Sequence, residues 1–361
     1  ADVVGEAIEA LDTPVLWVDL DALDHNIATM AAFAREHGIA WRPHIKASKA
    51  PDLAKRLIAG GAVGITCAKL GEAEVMAAHG VTDILIANEV VGPLKVGRLV
   101  RLARQATVCV AVDDGRNLRE IAEAASAAGV NVDVLVDINV GTDRCGVAPE
   151  HAPGLARLAT DLPGVTLRGL MGYEGHVMGL EPEDKEAESG RAADLLREAI
   201  GAVRAAGFEP GVVSGGGTGN YWIAGALGAL TELQAGGGVL MDRTYRERMR
   251  VTGHRQALFV TAQVVSTAVA GRAALDAGWK TTGMHTGLPE AVSPAGLTVV
   301  GLNAEHTLLA RDEGVGLEPG QRVTLVPHYS DSTVLLHRRM YAVREGRIEA
   351  VWPIAASGML E

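Results

Sequence analysis

From residue 14 to about 240, short apolar, β-branched runs alternate with longer stretches whose apolar positions recur every three to four residues. The runs read PVLWVDL, WRPHIK, VGITCAK, DILIANEV, TVCVAVDD, VDVLVDINV, LRGLMGY, GVVSGGG and LQAGGGVLMD. Between them lie segments such as ALDHNIATMAAFAREHG and GRNLREIAEAASAAG, which carry the spacing of amphipathic helices. Repeated strand–helix units predict a parallel sheet, and eight of them close a barrel. Nine candidate strands is one too many. The first, PVLWVDL, is therefore expected to join a neighbouring domain, with the barrel beginning at WRPHIK. A doubly wound open sheet is the competing arrangement, but no G-x-G-x-x-G follows the first strand.

Beyond residue 250 the period changes. HRQALFVTAQVVSTAVAGRAALDAG, GLTVVGLNAEHTLLA, QRVTLVPHYSDSTVLLH and RRMYAVREGRIEAVWPI alternate, with turn pairs such as EG and PG between them. The expected organisation is a strand within residues 1–20 that belongs with the β domain, a (β/α)8 TIM-type barrel over 21–248, and a mostly antiparallel β domain over 249–361. EPEDKEAESGRAA is charged and reads as a solvated helix start.

Composition narrows the function classes. With 361 residues, 48% of them hydrophobic, the chain can bury a large core. A net charge of -11 argues against nucleic acid or an anionic membrane surface as partner. The opening ADVVGEAIEALDTP has no basic region followed by an apolar stretch, and no later run is long enough to cross a bilayer, so a cytoplasmic location is the default expectation. Cys67, Cys109 and Cys145 are widely spaced within or beside apolar stretches and read as small buried hydrophobes.

Barrel enzymes carry reactive groups at the C-terminal ends of their strands. Those ends supply His44 and Lys46, Lys69, Asn88 and Glu89, Asp113, Arg144, Tyr173 to His176, and Ser214 to Asn220. In SGGGTGN (214–220), consecutive glycines let backbone N–H groups close on an anion, and Thr218 adds a hydroxyl at the start of the next helix. A second run, AGGGVLMD, follows at 235–242. One such run is usually a tight turn; two, late in a barrel, point to a phosphate site. Lys46 taken alone is a surface lysine. On a strand end opposite a phosphate cradle it suits pyridoxal phosphate, an aldehyde and a phosphate in one molecule. Arg144, in GTDRCGV, is either a partner for the pyridine nitrogen or a surface ion-pair residue.

TPVLWVDLDALDHNI, RPHIKASK, GITCAKLGEAE, DILIANEV, DINVGTDRCGV, GLMGYEGHVM, VSGGGTGNYW, ELQAGGGVLMD and DAGWK…TGLPE together resemble the D-threonine aldolase family. That family includes 3-hydroxy-D-aspartate aldolase and the metal-dependent D-serine dehydratases, within the alanine-racemase-like, fold type III pyridoxal phosphate enzymes. The resemblance runs in order from about residue 12 to the C-terminus. It implies a barrel followed by a β domain, usually as a homodimer, acting on a small amino-acid substrate. It makes Lys46 the Schiff-base lysine and Arg144 the pyridine partner. It places Tyr173 near the cofactor ring, with Gly217, Thr218, Gly219, Gly236, Gly237 and Tyr245 around the phosphate.

The reaction expected is retro-aldol cleavage of a D-3-hydroxy amino acid to glycine and an aldehyde. The β-hydroxyl needs a base, and His176 is the candidate; its alternative is a structural histidine closing the loop. A divalent metal (Mn, Mg or Zn) would stabilise the alkoxide. The resemblance places the metal in a segment like P-x-H-C-D-P-T, laid over VPHYSDST at 326–333. Asp331 and Thr333 match, Tyr329 stands where the histidine is expected, and His328 precedes it by one. If this segment is a strand, neighbours face opposite sides, and His328 reaches a metal beside Asp331 only through a bulge. His337 reads as a strand residue. Ser48 stands where many relatives have a histidine. The alternatives are a D-3-hydroxy amino acid dehydratase, a metal-independent racemase or transaldolase, and a non-catalytic pyridoxal phosphate-binding protein.

Overall fold

A computed structural model describes residues 3–361, and these divide into two compact units. One consists of Met30–Lys46, Ala54–Gly236 and Gly358–Glu361. Its sheet holds eight strands: β2 (Ala40–Trp41), β3 (Ile65–Cys67), β4 (Asp83–Glu89), β5 (Thr107–Val112), β6 (Val132–Asp137), β7 (Val165–Gly172), β8 (Val212–Gly215) and β9 (Glu232–Leu233). Every pairing is parallel, running in order from β3 to β9 and then to β2. The sheet closes where the chain after β2 meets β3: His44 bridges Thr66, and the N–H of Val63 donates to Trp41 O at 2.9 Å.

The strands are near-continuous apolar runs because both faces are covered. Ile84, Leu85 and Ile86 of β4 and Val134, Leu135 and Val136 of β6 are all buried. The helices between them bury one stripe each. Residues Gly115–Ala127 turn Leu118, Ile121, Ala122 and Ala125 inward, and Asp114 caps the start by accepting from the N–H groups of Arg116 and Asn117.

The other unit comprises Ala1–Thr29, Ala47–Leu53 and Gly237–Ser357. Its sheet contains β1 (Val15–Asp19), β10 (Leu258–Ser266), β11 (Arg272–Leu275), β12 (Glu290–Ser293), β13 (Leu297–Leu302), β14 (Thr307–Arg311), β15 (Arg322–Val326), β16 (Arg339–Arg344) and β17 (Arg347–Pro353). All pairings are antiparallel except β1 with β16. The expected strand PVLWVDL is β1, between β10 and β16 of this sheet. Along β10, Leu258, Val260, Ala262 and Val264 are buried on one face. On its other face Phe259 stacks on Trp17, ring centroids 4.7 Å apart.

The fold is therefore a (β/α)8 TIM-type barrel with a second, mostly antiparallel β sheet. Among the described residues, no helix is long and apolar enough to cross a membrane.

Three local expectations are corrected. QRVTLVPHYSDSTVLLH is not one strand: β15 ends at Val326, and Ser330–Val334 is a short helix. Pro327 has no N–H for the ladder, and the Ser332 hydroxyl donates to Tyr329 O while that of Thr333 goes to Thr282 O, holding a helical turn instead. His337 lies outside any strand, its Nε2 2.8 Å from Thr281 O. EPEDKEAESGRAA does begin a helix, Pro182–Ala205, but Lys185 and Ser189 on it are buried.

Candidate active site

β6 and β7 position the first group of side chains. The chain leaving β6 folds back on itself: Asn139 N–H donates to Val147 O, Val147 N–H to Asp137 O, and the Asn139 side chain accepts from the N–H groups of Gly141 and Asp143. This fixed loop carries Thr142 and Arg144. Thr142 Oγ1 donates to Tyr173 O at 2.6 Å and lies 3.1 Å from His176 Nδ1, tying the loop to the turn after β7. The Arg144 guanidinium stands over the Tyr173 ring, 5.5 Å from its centroid. Arg144, Tyr173 and His176 are thus brought together.

The hydrogen bonds also settle a tautomer. The single proton of Thr142 goes to Tyr173 O, so its oxygen accepts from His176 Nδ1–H. His176 Nε2 makes no hydrogen bond to protein among the described residues.

Lys46 sits in the turn at the barrel's closing seam, one residue past Ile45, whose N–H donates to Thr66 O. Lys46 N–H is 3.3 Å from His44 Nδ1.

The glycine loop after β8 is buried throughout. Gly216 has φ +74°, and a Cβ there would lie 2.6 Å from Leu233 Cδ1. Gly217 N–H donates to Asn220 Oδ1, whereas Gly219 N–H has no protein partner among the described residues. The same holds for the buried N–H of Gly236, where any Cβ would run into the backbone of His44. Two unpaired buried donors on Gly-lined backbone are what an anion cradle offers. The helix after the first loop is only Tyr221–Ala224, so the donors are the loop amides rather than a helix end.

Sequence reading missed part of a third group. Glu89 ends β4, Asp113 follows β5, and Cys145 neighbours Arg144; their donor atoms all lie within 4.8 Å of one another. Asp137, buried at the end of β6, joins them. Burial, then the charge and hydrogen bond of Glu89, push its carboxyl up to about 8, so near neutral pH Asp137 donates to Glu89. Asp137 escaped notice because it lies inside the apolar run VDVLVDINV. Burial and Glu89 also raise the Cys145 thiol, which disfavours a thiolate there.

The β-sheet unit carries Gly237, Tyr245, His328, Tyr329 and Asp331. A Cβ on Gly237 would collide with the Tyr245 hydroxyl. Asp242, absent from the expected site, organises this region: its carboxylate accepts from Tyr245 N–H at 2.8 Å and Ser330 N–H at 2.6 Å. Burial raises its pKa to about 7. His328 Nδ1 lies 2.6 Å from Thr286 Oγ1 and 3.0 Å from Thr244 Oγ1, and its ring packs on Gly287. The Tyr329 ring lies 6.1 Å from both Tyr245 and His285. Among the described residues, His328 and Asp331 belong to no group of three or more ligand-type side chains.

A family model described as "Alanine racemase, N-terminal domain" matches residues 18–244, and one described as "Putative serine dehydratase domain" matches 257–343. The chain is 39% identical to a D-threonine aldolase of Arthrobacter sp, covering 98% of this chain and 95% of that protein. It is 36% identical to a 3-hydroxy-D-aspartate aldolase of Paracoccus denitrificans (strain Pd 1222), covering 96% and 92%. The crystal structure of D-threonine aldolase from Filomicrobium marinum superposes with a TM-score of 0.95 at 36% identity, covering 99% of each chain. Fold and matched domains define an alanine-racemase-like barrel enzyme. Within that class, the chain belongs to the D-threonine aldolase family.

Proposed function

We propose that this chain is a pyridoxal phosphate-dependent carbon–carbon lyase that cleaves D-3-hydroxy amino acids to glycine and an aldehyde. The observation that carries the reading is the Thr142 tie, which engages His176 Nδ1 and leaves Nε2 without a protein hydrogen bond in the group that holds Arg144 and Tyr173. The names of the relatives support aldol cleavage over dehydration.

The buried amides of Gly219 and Gly236 fit a phosphate, and Lys46 fits an aldehyde. Gly217 and Thr218 complete that loop, and Gly237 and Tyr245 are proposed as further phosphate contacts. Pyridoxal phosphate supplies an aldehyde for the substrate amine and a ring that draws electrons from the bond to be broken. Arg144 would donate to the pyridine nitrogen of the cofactor, and because a guanidinium keeps its protons that nitrogen would stay unprotonated. The Tyr173 ring, under the guanidinium, fixes Arg144. His176 Nε2 takes the proton of the β-hydroxyl, and Thr142 holds the imidazole in the tautomer that can do so. For a divalent metal, Asp331 and His328 are the proposed ligands, His328 through Nε2 because two threonine hydroxyls engage its Nδ1. The ion (Mn, Mg or Zn) would stabilise the alkoxide. A cytoplasmic homodimer is the proposed setting.

D-threonine or D-phenylserine is expected to yield glycine plus the aldehyde, with Lys46→Ala inactive. Borohydride reduction is expected to fix the cofactor to a peptide containing Lys46. Ammonia and a keto acid would instead mean a dehydratase, and no cofactor on Lys46 would end the enzyme reading.

A further inference from the structure

Lys185 lies where elementary electrostatics disfavours a lysine. It is in the first turn of the helix Pro182–Ala205, whose N-terminus is the positive end of the dipole. Its side chain is turned inward, and the residue is 2% exposed, although burying an ammonium group is costly. Nζ donates to the carbonyl of Gly219 at 2.9 Å and stands 5.5 Å from the centroid of the Trp222 ring. Lys185 therefore grips the glycine loop from behind.

The rest of the loop is held on the same principle. Glu174 is buried, accepts from Asn220 Nδ2 at 2.8 Å, and is bonded by the N–H of Gly216. Asn220 in turn accepts from Gly217 N–H, and its Nδ2 also reaches Ser189 Oγ at 3.3 Å. The amides of Gly216 and Gly217 and the carbonyl of Gly219 are thus all committed to protein partners. The amide of Gly219 is not. A protonated Lys185 on the carbonyl of that same residue would add a positive potential in a region of low dielectric.

We propose that Lys185 is a positioning residue for a phosphate monoester held at Gly217–Gly219, and that its charge makes the site prefer phosphorylated over unphosphorylated pyridoxal. This rests on reading the glycine loop as the cofactor's phosphate site. The full chain is titrated with pyridoxal phosphate and, separately, with pyridoxal, following absorbance of the Schiff base. Lys185→Met keeps the side-chain length without the charge; it is expected to weaken pyridoxal phosphate by about tenfold or more and to leave pyridoxal unchanged. Lys185→Gln keeps a donor for Gly219 and is expected to lose less. It also carries the same readout should the methionine variant not fold. Equal weakening of both aldehydes, or of neither, overturns the proposal. If the unsubstituted chain binds neither aldehyde through Lys46, the cofactor reading falls instead, which is a separate outcome.

Discussion

At the scale of the residue, the proposed chemistry turns on one hydroxyl. Thr142 spends its proton on Tyr173 O, so it can only accept from His176 Nδ1–H, and Nε2 is left as the nitrogen that faces no protein hydrogen-bond partner among the described residues. His176→Gln is expected to lower kcat by about 10²- to 10⁴-fold, the usual worth of a general base. Thr142→Val keeps the volume but frees the imidazole; a smaller loss of kcat and a displaced acid limb of the pH–rate profile are expected. An unchanged profile would make Thr142 a packing residue only. Arg144, Tyr173 and His176 could be picked from the sequence because they follow strands, where barrels keep their reactive groups. Thr142 could not, because its role depends on a contact with a segment 34 residues away. Lys185 and Asp137 stayed hidden for opposite reasons: one lies in a charged stretch that looked solvated, the other in an apolar run that looked like plain core.

At the scale of the element, hydrophobic period located most strands but not their ends. WRPHIK reads as one strand, yet the ladder covers Ala40–Trp41 and resumes only as a bridge at His44, since Pro43 has no N–H to give. AGGGVLMD likewise becomes a 3₁₀ turn at Gly237–Val239 rather than a strand. The segment after β15 shows the limit best. Alternation of apolar and polar residues continues through VPHYSDSTVLLH, but Pro327 and the run of short hydroxyl side chains favour a turn and helix. The face argument for His328 and Asp331 therefore lapses, since both follow the end of the strand. Asp331 is carried in the first turn of that helix. Metal analysis of purified Asp331→Ala is expected to show loss of bound divalent ion together with activity. Activity that survives chelation in the unsubstituted protein would remove the metal from the reaction.

At the scale of the whole molecule, the repeat of strand and helix made the barrel legible, and the change of period after residue 250 made the second sheet legible. What the repeat could not reveal is charge buried by tertiary packing. Asp137 titrates near 8 in the fold against an ordinary value of 3.8. The folded state thus holds a proton that the unfolded chain releases, and stability is expected to fall as pH rises between those two values. Asp242, raised to about 7 by burial, acts in the same direction. The urea midpoint is expected to drop across about pH 5 to 8, and Asp137→Asn to flatten that slope. A midpoint that rose with pH over this range would contradict the protonated pair.

The seam of the barrel carries one more consequence, for how the enzyme is made. Lys46 stands just past the bridge from His44 to Thr66, and β2 is flanked on its other side by β9, with Ala40 beside Glu232. The strand leading to Lys46 gains its second neighbour only when a segment about 190 residues further on has been synthesised and docked, a contact of high sequence separation. A ribosome-bound fragment ending before Glu232 would present Lys46 on an open edge. If pyridoxal phosphate bonds to Lys46 as proposed, the yellow of bound cofactor would mark chains whose barrel is complete, a colour test for finished folding.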